Sequence, residues 1–305
     1  MTFKDACLGL FVMFIWGINF SVIKLGVSQA DPLLMTAIRF TLATMPLIFF
    51  VRKPDVAWRY LVSYGVLFGV GVWGMASWSI TAGLSAGMTS VLLQTNVIFG
   101  LFIGYLVFRD RFTIHKVIGA LFAFTGLALS LMATDGTITI KGVALVMISA
   151  LSWSLVSTLV KKSGTRQPFA FSIWGMAFAP LPLLLFALSL NGTDIITTTI
   201  NSWNGYTTFS VLFQAYPTTV FGYWVWNRML VKYPLSTVAP VNLMVSVFGL
   251  LGGYLFYGEH VGALQVISAA MILAGVLIIL LKPGNTFLAA RLAQWRVRKV
   301  SDQKV

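Results

Sequence analysis

The stretch Phe99-Gly100-Leu101-Phe102-Ile103-Gly104-Tyr105-Leu106 returns as Phe248-Gly249-Leu250-Leu251-Gly252-Gly253-Tyr254-Leu255. The same register carries Asp110 onto Glu259 and Gly126 onto Gly275. Earlier in the chain, Trp16 and Lys24 correspond to Trp153 and Lys161, and Pro32 to Pro168. Both copies lie in apolar runs of about the 20 residues needed to cross a bilayer. Similar runs fill 5–28, 32–51, 59–82, 84–107, 112–132, 141–160, 168–190, 205–230, 235–257 and 262–281. The runs do not alternate in ten-residue units, which argues against a closed β-barrel. The expected fold is an all-α membrane protein of ten transmembrane helices.

Composition excludes the competing classes. Of 305 residues, 58% are hydrophobic and 10% charged, against about 25% charged in soluble domains. Such a chain cannot cover a soluble globule with polar surface, nor stay disordered. A single cysteine, Cys7, rules out a disulfide scaffold, and His115 and His260 sit in polar segments between runs. The net charge of +13 could suggest nucleic acid, but its distribution does not. With the N-terminus inside, the inner segments hold Lys4; Arg52, Lys53, Arg59; Arg109, Arg111, Lys116; Lys161, Lys162, Arg166; Arg228, Lys232; and the basic tail, while the outer segments hold only Lys141. That partition predicts both termini on the cytoplasmic side of the membrane. The first run lacks a small-x-small cleavage site and reads as a retained helix.

The repeat unit covers five runs. Five is odd, so the second copy enters the membrane upside down. Residues 1–135 and 136–282 are the two expected five-helix units, and 283–305 a basic cytoplasmic tail with Leu288, Leu292 and Trp295 at helical spacing. Inverted repeats characterise secondary transporters, whose substrate sits between the repeats near the midplane.

Further motifs carry a family resemblance. Trp16-Gly17-Ile18-Asn19-Phe20, then Lys24 and Ile38-Arg39-Phe40, and later Gly222-Tyr223, Trp226, Tyr233-Pro234 and Val238-Ala239-Pro240 resemble the EamA family of drug/metabolite transporters. Within it the chain is most similar to bacterial exporters of O-acetylserine/cysteine and of aromatic amino acids. The resemblance runs over about 5–282. It implies two inverted five-helix repeats, a central cavity lined by helices one, three, four, six, eight and nine, and efflux of amino acids or other small metabolites. The chain departs from the family pattern at Ser246, where a second proline is common, and at Arg109-Asp110, where Gly-Glu is common.

The polar residues inside the runs are the site candidates. None of Asp5, Asp31, Asp55, Asp110, Asp135, Asp194, Glu259 and Asp302 falls mid-run. No carboxylate proton relay is then available. Nor is there an acid/base pair, a metal site or a Ser/His/Asp set for an enzyme. No cofactor is expected, and transport down the substrate gradient is. Gln94 and Asn96 near the middle of the fourth run, and Asn242 in the ninth, must face a cavity or bond between helices. Gln94 and Asn96 are two apart and cannot share a face. Trp16 and Asn19 share a face of the first run, and Trp153 repeats Trp16; these wall a cavity or pack the core. Trp78, Tyr216 and Tyr223 are lesser candidates, Tyr216 because Pro217 can kink its helix. Arg39, about 10 Å into its run, must pair, snorkel or meet a substrate carboxylate. Lys24 is expected to snorkel outward. Asp110 and Glu259 are expected at the N-termini of the fifth and tenth helices.

The expected function is export of small amphipathic metabolites, amino acids or derivatives first, by alternating access. Partners are a small-molecule substrate and the bilayer, with no nucleic acid, in a monomer or homodimer. Uptake or exchange of another metabolite is the alternative, since residues do not set direction; a membrane-embedded enzyme is less consistent with the missing carboxylates.

Overall fold

The computed structural model describes residues 2–109, 113–130, 132, 138–233, 239–259 and 262–280. Asp110, Asp135, His260, Pro234, Val238 and the basic tail lie outside them. Among the described residues every regular element is helical. The helices are α1 (Phe3–Val27), α2 (Pro32–Ile48), α3 (Trp58–Thr81), α4 (Ala86–Phe108), α5 (Ile114–Ser130) and α6 (Ile140–Ser163). They continue with α7 (Pro168–Asn191), α8 (205–232), α9 (Met244–Tyr257) and α10 (Ala263–Leu280). A short helix, Asp194–Asn201, lies between α7 and α8.

Six helices, α1, α3, α4, α6, α7 and α10, are long and apolar enough to cross a membrane. Pro32–Ile48, Ile114–Leu129 and Val241–Tyr257 are shorter apolar helices. The 205–232 stretch is long but buries polar Gln214, Thr218, Thr219 and Asn227. Large hydrophobics such as Phe11, Phe102, Leu121, Leu185 and Phe256 face outward, as a chain solvated by lipid requires. The protein is a multi-pass membrane protein.

The helices are less regular than the apolar runs suggest. In α3 the segment Leu67–Gly74 is a π-helix. In α8 the π-helical segment is Gln214–Phe221. Pro217 lies inside it and has no N–H to give. The α4 helix breaks at Gln94 and Thr95, between Ala86–Leu93 and Asn96–Phe108. A five-residue 3₁₀ segment, Ala239–Leu243, leads into α9. The α7 helix breaks between Met176 and Pro180, because a proline ring clashes with the carbonyl four residues earlier. Non-helical backbone at membrane depth is tolerated where it is buried in protein or lines a cavity.

Contacts between the halves come in exchanged pairs. The α1 helix packs on α8 and α9; α6 packs on α3 and α4; α2 packs on α7; α5 packs on α10. Between α5 and α10, a Cβ on Gly119 would lie 2.6 Å from the Gly275 carbonyl, and one on Gly126 would lie 2.7 Å from the Ser268 carbonyl. Backbones approach this closely only where no side chain intervenes.

Two expectations need correction. Lys24 does not simply snorkel: its Nζ lies 2.8 Å from Glu259 Oε1. Glu259 does not sit at the start of α10, which begins at Ala263. Its carboxylate instead accepts from the backbone N–H groups of Ala86 (3.0 Å) and Gly87 (3.2 Å), at the start of α4. An anion gains there from unpaired N–H groups and the helix dipole.

Candidate substrate site

Arg39 is fully buried in α2, and a buried charge must be compensated. No carboxylate does so among the described residues, whose ion pairs are Lys24–Glu259 and Lys232–Asp5. The Arg39 partners are neutral and come from the π-helical segment of α8. Nε and Nη2 donate to Thr219 Oγ1 at 3.3 and 3.1 Å, and Nη1 donates to Gln214 Oε1 at 3.3 Å. Thr219 in turn donates to the Gln214 carbonyl at 2.7 Å, and Gln214 Nε2 donates to Ser210 Oγ at 2.9 Å. The guanidinium lies 4.4 Å from the centre of the Trp73 ring and 4.9 Å from that of Phe40, within range of a cation–π attraction.

Aromatic rings continue from Trp73 across the middle of the bundle. Trp73 meets Trp153 edge-on at 5.7 Å. Phe68 contacts Trp153 at 5.9 Å and Tyr223 at 5.8 Å. Tyr223 contacts Trp16 at 5.3 Å. These rings come from α1, α3, α6 and α8. The Trp16 indole N–H donates to the Thr218 carbonyl at 2.9 Å. On the other side a different residue pair joins the corresponding helices: Ser149 Oγ of α6 donates to the Val72 carbonyl of α3 at 2.7 Å. In each case a π-helical segment offers a carbonyl to the first helix of the opposite half. Thr218 Oγ1 donates to Asn19 Oδ1 at 3.0 Å, while Asn19 Nδ2 is buried without a partner.

Of the residues singled out in the sequence, Arg39, Trp16, Asn19, Trp153 and Tyr223 come together here. Gln94 and Asn242 form a second locus: Gln94 Nε2 donates to the Asn242 carbonyl at 3.2 Å, joining the break in α4 to the 3₁₀ entry of α9. Asn96 Nδ2 caps the same break on the Leu93 carbonyl at 2.7 Å. Trp78 lies apart, against Phe186 and near Lys141. Tyr216 is 41% exposed on the outside of the bundle. Residues not anticipated are Trp73, Phe68, Gln214, Thr218 and Thr219. For Gln214, Thr218 and Thr219 the signal was the polar Gln214-Ala215-Tyr216-Pro217-Thr218-Thr219 interruption of an apolar run. No group of three His, Cys, Asp or Glu side chains capable of holding a metal occurs among the described residues. What the arrangement offers is one guanidinium fork, whose geometry matches a carboxylate, beside aromatic surface.

Comparison with known proteins decides the family. The profile of the EamA-like transporter family matches residues 4–132 and 140–281. The chain belongs to the EamA-like transporter family. Among its relatives, a probable amino-acid metabolite efflux pump of Salmonella typhimurium is 33% identical over 91% of this chain and 95% of its own length. One of the same description from Escherichia coli is 31% identical over the same shares. An uncharacterised transporter of Archaeoglobus fulgidus is 26% identical over 92% of this chain and 99% of its own. A solved crystal structure, 16% identical, covers 95% of this chain and 98% of its own with a TM-score of 0.62.

In this EamA-like transporter, α1 is tied at both ends. At one end Lys24 meets Glu259; at the other Asp5 accepts from Lys232 Nζ at 2.6 Å and also from the Tyr233 hydroxyl. The aromatic centre lies between these ties.

Proposed function

We propose that this transporter exports small amphipathic metabolites, amino acids or their derivatives first, across the bacterial inner membrane. The observation that carries the reading is Arg39, a buried cation with no carboxylate partner among the described residues, beside an aromatic wall. A substrate carboxylate would neutralise it, and the apolar part of the substrate would lie on Trp73, Trp153 and Tyr223. The efflux-pump descriptions of the relatives point the same way.

Alternating access around this centre is the mechanism we infer, between two inverted five-helix units at 1–135 and 136–282. The exchanged contacts support it. Residues 119 and 126 correspond to 268 and 275 in the repeat register, and the close approaches are 119 to 275 and 126 to 268. A two-fold axis makes contacts in reciprocal pairs of this kind. The ties at the two ends of α1 would then break in turn.

Uptake of a panel of labelled amino acids into proteoliposomes, at equal pH on both sides, tests substrate and driving force together. Flux is expected without a pH difference, because no carboxylate sits mid-span; flux that appears only with an imposed gradient contradicts this. Orientation is tested with cysteines at Lys4, Asn191 and Lys304 in a Cys7-free background. Only position 191 should react with an impermeant reagent in intact cells.

A further inference from the structure

A groove of about 630 Å³ opens between the end of α2, the start of α7 and the last turns of α8. Its apolar walls are Pro168, Phe169, Ala170, Trp224 and Val231; Arg52, Arg228 and Lys232 stand around it. Trp224 and Val231 are 45% and 76% exposed, a costly display in water but not in lipid. Arg228 lies 5.9 Å from the Trp224 ring centre. All three cations are exposed; Lys232 is engaged by Asp5, while Arg52 and Arg228 form no ion pair among the described residues. The groove lies at the end of the bundle that the basic residues assign to the cytoplasm.

Two further features point to an anion inside the groove. Asn227 lines it, is 9% exposed, and has no partner for Nδ2. The α7 helix begins at Pro168 with no side-chain cap. The start of its Pro168–Met176 segment offers backbone donors and a positive dipole end. The groove therefore combines two guanidinium groups, a buried amide donor, a helix N-terminus and an apolar wall. A free phosphate would use the first three and not the last. An anionic phospholipid uses all four. We propose that the groove is a binding site for an anionic phospholipid of the inner leaflet, its phosphate between Arg52, Arg228, Asn227 and the α7 N-terminus, its acyl chains along Trp224, Phe169 and Val231. Basic pockets between membrane helices on the cytoplasmic side have this chemistry. The proposal does not depend on the substrate site, and Arg39 plays no part in it.

The test uses the purified full-length protein in nanodiscs containing spin-labelled phosphatidylglycerol or spin-labelled phosphatidylcholine in a phosphatidylcholine background. The readout is the fraction of motionally restricted label. Wild type is expected to hold phosphatidylglycerol about 10-fold more strongly than phosphatidylcholine. The double variant Arg52→Gln/Arg228→Gln should lose most of that preference, and Asn227→Ala should reduce it about 3-fold. The control Arg59→Gln/Lys162→Gln, basic residues at the same end but outside the groove, should keep it. An unchanged preference in the groove variant overturns the site. An equal loss in the control also overturns it, in favour of diffuse surface attraction. Displacement of the lipid by millimolar inorganic phosphate would mean a free-anion site and overturn the lipid assignment. If the double variant does not fold, Asn227→Ala alone decides.

Discussion

In the repeat register Arg39 of α2 corresponds to Gly175 of α7, and the π-helical segments of α8 and α3 set Gln214 and Thr219 against Leu67 and Val72. Under the proposed inverted repeat, corresponding helix crossings are built with different chemistry. On one side a guanidinium is held by an amide and a hydroxyl. On the other there is no side chain at 175, and Tyr64 fills the space: a Cβ on Gly175 would lie 3.0 Å from Tyr64 Cγ. Tyr64 stacks on Phe68 at 5.1 Å and meets Phe171 edge-on at 5.3 Å. The apolar version shows that this helix crossing can be packed without charge. The polar version therefore adds a capability that packing does not call for, at the cost of burying a cation. We read that added capability as recognition of the substrate carboxylate.

If so, the two counterpart positions should fail in different ways. Arg39→Gln should lower the transport efficiency for amino acids roughly 10- to 150-fold. Charge-assisted hydrogen bonds contribute about 1.5–3 kcal/mol, and 1.36 kcal/mol is tenfold. The protein should still be recovered folded. Gly175→Val should do the reverse. Overpacking against Tyr64 should cost about 1–3 kcal/mol of stability, seen as a lower detergent melting temperature, while the folded fraction transports with unchanged affinity. If Arg39→Gln loses stability and keeps substrate affinity, the contrast between the two sides disappears.

A smaller effect is expected at Gln94. Replacing it with leucine removes the bond to the Asn242 carbonyl, worth roughly 0.5–1.5 kcal/mol. If Gln94 also meets substrate, affinity should fall about 2- to 10-fold with little change in melting temperature. A lowered melting temperature with normal affinity would make it a joint between α4 and α9 only. The smallest effect is expected at Tyr216, which faces outward. Tyr216→Leu should leave both flux and melting temperature within error, and a transport defect there would move the site toward the outside of α8.

How much of this was legible beforehand follows from what each signal reports. The apolar runs located the helices to within a few residues, because bilayer thickness sets their length; the exception is the ninth, where α9 begins only at Met244, after the 3₁₀ segment Ala239–Leu243. The repeat was visible because Gly100, Gly104, Gly249 and Gly253 recur in one register. Arg39, Trp16, Asn19, Trp153 and Tyr223 could be singled out because a polar or bulky aromatic residue in the middle of an apolar run needs a reason. Gln214 and Thr219 were missed because they matter only through Arg39, 175 and 180 residues away in the chain. The π-helical segments and the break at Gln94 were missed because hydropathy is blind to which backbone bond is made. Lys24 was misjudged for the same reason as Gln214: its partner Glu259 is 235 residues distant.

The most direct measurement compares an amino acid that the transporter carries well with its own carboxamide, in proteoliposomes of wild type and of Arg39→Gln. The two compounds share the side chain and the ammonium group and differ only in the carboxylate. Wild type is expected to prefer the acid by at least tenfold, and Arg39→Gln to carry acid and amide at nearly equal, low rates. An acid-to-amide ratio that is the same in both proteins would show that Arg39 does not read the carboxylate and would contradict the assignment of the site.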